Sequence, residues 1–142
     1  MESICKNGLR KEGEIIDEES LSTVDGHIKK GVKFRGIDNW SSAVFVSPSV
    51  YYSGHQVYAK ETISEDITWM PVVHVKVAKG SYTAHEHTLW SYEFKDDEPR
   101  QVEWRVENSS NVKVISFIFV KKGHFDKSNN YKTTTSLMKA RN

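Results

Sequence analysis

Hydroxyl and aromatic side chains are concentrated just after a short apolar run near the middle of the sequence. The run, Ala43–Val46, leads into a Ser-Pro-Ser corner that is followed by tyrosines and small polar residues. Proline has no N–H to donate to a neighbouring strand, so we expect the strand to end before Pro48 and the nearby hydroxyl groups to contact backbone or a ligand. Ordinary packing of an amphipathic segment is the alternative. The candidate ligand-binding residues of this segment are Ser47, Ser49, Tyr52, Ser53 and Tyr58.

An amide and a carboxylate two residues apart form a second group of candidate residues. Polar and apolar residues alternate over Gln101–Val106, which predicts a strand with Gln101 and Glu103 on the same face. Glu103 has two possible roles. It either takes part in chemistry next to a ligand, or it is a solvated residue on the outer face of an edge strand.

The histidines His85 and His87 offer a third kind of chemistry, metal binding. They are two residues apart, so on a strand both side chains point the same way, and Glu93 could add a carboxylate ligand. This pattern resembles the first motif of the cupin barrels, which also need a further histidine. His74 lies upstream of the pair and His124 lies near the C-terminus. Surface positions are the alternative for the pair, and we predict no bound metal.

The apolar pattern predicts a strand-rich α+β fold with little helix. Residues 68–78 carry valines at alternate positions, the pattern of a half-buried strand. Residues 101–106 alternate in the same way. Val112–Val120 is the most apolar run of the sequence, so we predict that it forms a central strand.

Length and composition narrow the protein class. A chain of 142 residues indicates one domain, and a net charge of +1 gives no general attraction to nucleic acid or membrane. The single cysteine, Cys5, rules out an internal disulfide and a cysteine-based zinc site, and no apolar run approaches membrane-spanning length. We therefore expect an intracellular protein, cytoplasmic or nuclear, with a polar lead-in at 1–25, a folded domain at 26–121 and a basic, disordered tail at 122–142.

The corner and the Gln-x-Glu strand together resemble the ADP-ribosyltransferase superfamily, which includes the ADP-ribose polymerases and the bacterial ADP-ribosylating toxins. In that superfamily one strand carries an aromatic-Ser-x-Ser segment, here Phe45, Ser47 and Ser49. A later strand carries Gln/Glu-x-Glu with the catalytic glutamate last, here Gln101 and Glu103. The chain is also similar, more closely, to transferase-like modules of animal proteins that pair Ser-Pro-Ser-x-x-Tyr with Glu-Trp. The resemblance implies split antiparallel β-sheets with few short helices.

The same resemblance implies a PARP-like mono-ADP-ribosyltransferase that transfers ADP-ribose from NAD to a protein acceptor. Cleavage of the nicotinamide–ribose bond passes through a positively charged sugar, so the Glu103 carboxylate would stabilise that charge and accept a hydrogen bond from a ribose hydroxyl. Gln101 would position the acceptor. Hydroxyl groups and aromatic faces would hold the nicotinamide, with Ser47, Ser53, Tyr52 and Tyr58 as the candidates.

One departure from the superfamily pattern leaves two alternatives open. Active members carry His-Gly-Thr or an arginine on the first strand, and this sequence has no His-Gly-Thr. The departure favours a catalytically inactive domain of the same fold that binds protein or nucleotide. A cupin-like metal protein is the second alternative, and it predicts that His74, His85, His87 and Glu93 converge.

Overall fold

The structure, a computed structural model, describes residues 2–11, 15–16, 19–20, 35–89, 92–94 and 96–124. This part of the chain is strand-rich with a few short helices, which confirms the coarse fold class. Single 3₁₀ turns at Ser109–Asn111 and Lys122–His124 flank the last strand. The other elements are α1 (Glu2–Asn7), β1 (Ile15–Ile16), β2 (Glu19–Ser20), β3 (Val44–Val46), α2 (Val50–Ser53), β4 (Thr62–Ser64), β5 (Ile67–Val77), β6 (Thr83–His85), β7 (Glu103–Val106) and β8 (Val112–Lys121).

The described strands form small antiparallel sheets. β1 pairs with β2, the short sheet has the strand order β3-β7-β6, and the long sheet has the order β4-β5-β8. In the short sheet His85 pairs with Glu103, and in the long sheet Val77 pairs with Val112. The predicted strand at 68–78 is therefore confirmed to within one residue at each end, as β5.

Valines of the short sheet and the long sheet form the core between these two sheets. Val44 of β3, Val106 of β7 and Val112 of β8 make one buried cluster. Val75 and Val77 of β5 are half-buried and pack against it, whereas the polar residues that alternate with them are exposed. Full burial of a valine side chain contributes roughly 1.5–3 kcal/mol, so this contact holds the two sheets together.

β8 contradicts the prediction that the most apolar run is a central strand. Among the described strands β5 is the middle one of the long sheet, and β8 pairs with β5 alone. Ile115, Ile118 and Phe119 keep 50%, 39% and 47% of their surface exposed. The other side of β5 is taken by β4, which is joined to it through Glu65 and Asp66, both with positive φ as in a tight hairpin turn. An apolar run reports burial tendency and carries no information about strand order.

β7 is shorter than predicted and is buried on both faces. It lies in the middle of the short sheet, and Glu103 and Arg105 are only 2% and 3% exposed. The guanidinium of Arg105 donates to the carbonyl oxygens of Trp40 (3.2 Å) and Asn39 (2.8 Å) and pairs with Glu107. The alternative that placed Glu103 on a solvated outer face is therefore wrong.

The predicted lead-in contributes to the folded body. α1 ends before Gly8, whose positive φ of 71° suits glycine, and Leu9 packs against the valine core. The Lys11 ammonium donates to the carbonyl oxygen of Glu107 at 2.9 Å. Within the described ranges no helix is both long enough and apolar enough to cross a membrane. Of the predicted disordered tail, residues 125–142 lie outside the described residues.

Candidate functional site

A pocket of about 460 Å³ opens where β3 ends and α2 begins, against the side of β5. Its volume falls within the roughly 300–1,000 Å³ that is typical of small-molecule sites. The five predicted ligand-binding residues line it, together with Phe45 and Glu103. Further lining residues come from the segment after α1 and from β5 and β8, and they include Leu9, Pro71, Val72, Val73, His74, Val75 and Ile118.

The Ser-Pro-Ser corner builds one wall of the pocket through local hydrogen bonds. Ser47 Oγ accepts from the Ser49 N–H at 3.0 Å. Ser49 is the N-cap of α2, and its Oγ accepts from the Tyr52 N–H at 3.1 Å. β3 ends at Val46, which confirms the predicted strand end before Pro48, and a short helix follows. The two hydrogen bonds place Tyr52 on the buried side of α2, where it is 4% exposed.

Glu103 is anchored at the pocket wall by hydroxyl groups. Its Oε2 accepts from Tyr52 Oη at 2.7 Å and from Thr88 Oγ1 at 2.9 Å. Tyr52 Oη in turn accepts from Tyr58 Oη at 2.8 Å and from the Thr88 N–H at 3.3 Å. The other carboxylate oxygen, Oε1, is buried and has no hydrogen-bond partner among the described residues. We call Tyr52, Tyr58, Thr88 and Glu103 the carboxylate cluster.

Burial and charge keep the two tyrosines of the carboxylate cluster protonated. Burial raises the pKa of Tyr52 far above its ordinary value of 10, and the negative charge of Glu103 raises it further. Burial also raises the pKa of Tyr58 to about 12. Both hydroxyl groups therefore remain hydrogen-bond donors at neutral pH: Tyr58 Oη donates to Tyr52 Oη, and Tyr52 Oη donates to the Glu103 carboxylate.

A second carboxylate, Glu98, fixes the start of α2. It accepts hydrogen bonds from Ser49 Oγ and from Tyr92 Oη. Burial, followed by this hydrogen bond, raises the pKa of Tyr92. Because Ser49 Oγ is engaged both by Glu98 and by the helix N-terminus, Ser49 shapes the wall and its hydroxyl is already used within the protein.

The structure does not bring Gln101 to the pocket. β7 begins at Glu103, so Gln101 precedes the strand and the two-residue alternation does not extend to it. Its side chain is exposed, and its carbonyl oxygen accepts from Trp104 Nε1 at 3.1 Å. Glu103 is thus the member of the predicted pair that reaches the pocket.

Thr88, Tyr92 and Glu98 were not predicted as site residues. Thr88 and Tyr92 lie between residues 81 and 94, a stretch whose histidines and aromatic residues follow no single period. Glu98 belongs to a charged segment that predicts only a loop. No pattern in the sequence connects these residues to the corner, because their contacts with it depend on how distant segments pack.

The histidines are dispersed over the fold. His74 of β5 is exposed, with Nδ1 3.2 Å from Ser116 Oγ, and His85 of β6 packs its ring 4.8 Å from that of Trp40. His87 packs against aromatic rings after β6. In the part of the chain that the structure describes, no three or more His, Cys, Asp or Glu residues are grouped so that they could hold a metal ion. The convergence that the cupin alternative requires is not found there.

Comparison of the chain with models of protein families, with curated proteins and with solved structures gives no match. Any functional assignment therefore rests on the chemistry of the pocket. The pocket combines apolar walls, hydroxyl groups and one buried, anchored carboxylate, a set that suits a ligand with an apolar ring and hydroxyl groups.

Proposed function

We propose that this protein is a PARP-like mono-ADP-ribosyltransferase that binds NAD in the pocket and transfers ADP-ribose to a protein acceptor. The observation that carries the proposal is the hydrogen bonding of the buried Glu103 carboxylate. One of its oxygens is held by two hydroxyl groups, and the other is buried without a partner in the described structure, while the residue itself lines the pocket. A ribose hydroxyl that donates to Oε1 would satisfy the unpaired oxygen.

The reaction places a specific demand on this carboxylate. The bond between the ribose anomeric carbon and the nicotinamide nitrogen breaks, and its electron pair leaves with nicotinamide. The sugar carbon becomes positively charged until a nucleophile of the acceptor attacks it and loses a proton. A fixed negative charge next to the sugar stabilises this transition state, and it needs no reorganisation when the charge develops. In this role Tyr52 and Thr88 are positioning residues, since they hold Glu103 Oε2.

The remaining pocket residues suit the nicotinamide end of NAD. Phe45, Tyr52 and Tyr58 supply aromatic surface, and Ser47 and Ser53 supply hydroxyl groups that can bond a carboxamide. The short and the long antiparallel sheet, with the pocket at the end of β3, are compatible with the split sheets of the superfamily that the sequence resembles. The arrangement of the sheets and the position of the pocket therefore support the proposal.

Turnover of NAD tests the proposal. We would incubate the purified protein with NAD and a cell lysate as the source of acceptors, and measure nicotinamide release and the mass added to acceptor proteins. Glu103→Gln keeps the size of the side chain and removes its charge, and we expect at least a hundredfold loss of nicotinamide release. Glu65→Gln makes the same chemical change at the exposed β4–β5 turn and should leave release unchanged. Equal release by the wild type and Glu103→Gln would contradict the proposal.

A second candidate function is binding of a nucleotide or a protein without catalysis. Two observations favour it: Gln101 lies outside the pocket, and the described lining residues include no lysine or arginine to pair with a diphosphate. Arg35 does not line the pocket, and its guanidinium donates to the carbonyl oxygen of Glu86 at 2.9 Å. Saturable binding of NAD without any nicotinamide release would support this second function over the first.

A further inference from the structure

The negative charge of Glu103 has no positively charged partner in the described structure. Its hydrogen bonds come only from hydroxyl groups. Arg105 lies on the same strand, but its guanidinium is held by two backbone carbonyls and by Glu107. His85 pairs with Glu103 in the sheet register, and burial lowers the pKa of its ring while the nearby Glu103 acts in the opposite direction. Glu103 is therefore a buried carboxylate whose hydrogen-bond donors in the described structure are hydroxyl groups.

The pocket next to this charge has the composition of a site for an organic cation. Three of its lining side chains are aromatic, namely Phe45, Tyr52 and Tyr58, and most of the others are aliphatic. His74 is the one basic side chain among the described lining residues, and it is exposed. Aromatic faces attract cations, and the attraction grows when water is excluded. A buried carboxylate acts in the same direction, whereas it repels anions.

We propose that the pocket selects its ligand by charge: it binds a positively charged aromatic ring of the N-alkylpyridinium class in preference to an uncharged ring of the same shape. The selectivity rests on the proposed function, because the nicotinamide ring of NAD carries this positive charge. It also goes beyond that function, because it predicts binding of simple pyridinium cations that carry neither ribose nor phosphate. Glu103 supplies the charge, and the aromatic side chains supply the contact surface.

A pair of small molecules that differ in charge tests the selectivity. The N-methylnicotinamide cation and its reduced dihydro form have the same ring substituents, but only the first is charged. We expect calorimetric titration of the full-length protein to give at least tenfold tighter binding of the cation. Nicotinate, an anion, should bind more weakly than either. Equal affinity for the cation and the dihydro form, or no binding of the cation, would overturn the inference.

The Glu103→Gln variant tests whether Glu103 causes the preference for the cation. The variant should bind the cation at least tenfold more weakly and should bind the dihydro form within about threefold of the wild type. Glu65→Gln should retain the full preference. A preference for the cation that persists in a folded Glu103→Gln variant would overturn the role of the carboxylate.

The results separate this inference from the proposed function. Binding of the N-methylnicotinamide cation that depends on Glu103, without cleavage of NAD, would support the inference and contradict the transferase. Cleavage of NAD with equal binding of the charged and uncharged rings would support the transferase and contradict the inference.

Discussion

Tyr52→Phe tests how the carboxylate cluster is held together. The substitution removes one oxygen atom and retains the ring, which packs 4.9 Å from the ring of Tyr92. Glu103 Oε2 loses the hydroxyl that now donates to it at 2.7 Å, and Tyr58 Oη and the Thr88 N–H lose their acceptor. The perturbation is therefore confined to hydrogen bonds inside the cluster.

The expected loss of stability follows from the kinds of hydrogen bond involved. A hydrogen bond to a charged group contributes about 1.5–3 kcal/mol, and each of the two neutral ones about 0.5–1.5 kcal/mol. Glu103 keeps the hydroxyl of Thr88, and the two orphaned donors can partly relax, so we expect Tyr52→Phe to lower the free energy of unfolding by about 2–4 kcal/mol. The measurement is urea unfolding followed by tryptophan fluorescence.

A matched control variant and a double-mutant cycle show whether the loss of stability comes from the hydrogen bond between Tyr52 and Glu103. Tyr82 stacks on Trp104 with ring centroids 4.1 Å apart, and its hydroxyl has no hydrogen bond in the described structure, so Tyr82→Phe should change stability by less than about 0.5 kcal/mol. Combining Tyr52→Phe with Glu103→Gln should reveal a coupling of about 1–2 kcal/mol. A Tyr52→Phe variant as stable as Tyr82→Phe, or a coupling near zero, would refute the described hydrogen bonding.

Three further predictions concern the helix cap, alkaline pH and the exposure of β8. Ser49→Ala should cost about 1–2 kcal/mol in urea unfolding, because it removes the cap of α2 and the donor to Glu98; an unchanged midpoint would contradict this. Folding raises the pKa of Tyr58 from 10.0 to about 12. The contribution of Tyr58 to the free energy of unfolding should therefore be complete below pH 10 and should decline as the pH rises towards 12. Tyr58→Phe should make that decline shallower, and an equally steep decline would show that Tyr58 does not contribute. Val106→Ala, at a position with 0% exposure, should cost about 2–3 kcal/mol and Phe119→Ala under about 1.5 kcal/mol, and the reverse order would contradict the exposed position of Phe119 on β8.

The corner could be predicted from sequence because its causes are local. Pro48 ends the strand for lack of an N–H, and Ser49 caps the helix with its own side chain. Both effects operate within a few residues. The alternation of valines in β5 is equally local, because one face of the strand packs on the core and the other meets solvent.

The contacts of Glu103 and the place of β8 could not be predicted in the same way. Thr88 reaches Glu103 only because β6 and β7 pair and return the chain to the corner. Gln101 was paired with Glu103 on the assumption that the strand began earlier than it does. The low exposure of Glu103 depends on Tyr52 of α2 and on Thr88, which contact its side chain from distant segments and leave no mark on the alternating sequence.

Calorimetric titration of NAD into the wild type and into Glu103→Gln is the most direct test of the proposal that the Glu103 carboxylate binds ligand in the pocket. We predict saturable binding to the wild type and at least tenfold weaker binding to the variant, with both proteins folded by circular dichroism. Absence of binding to the folded wild type, or equal affinity in the two proteins, would contradict the assignment of NAD to this pocket.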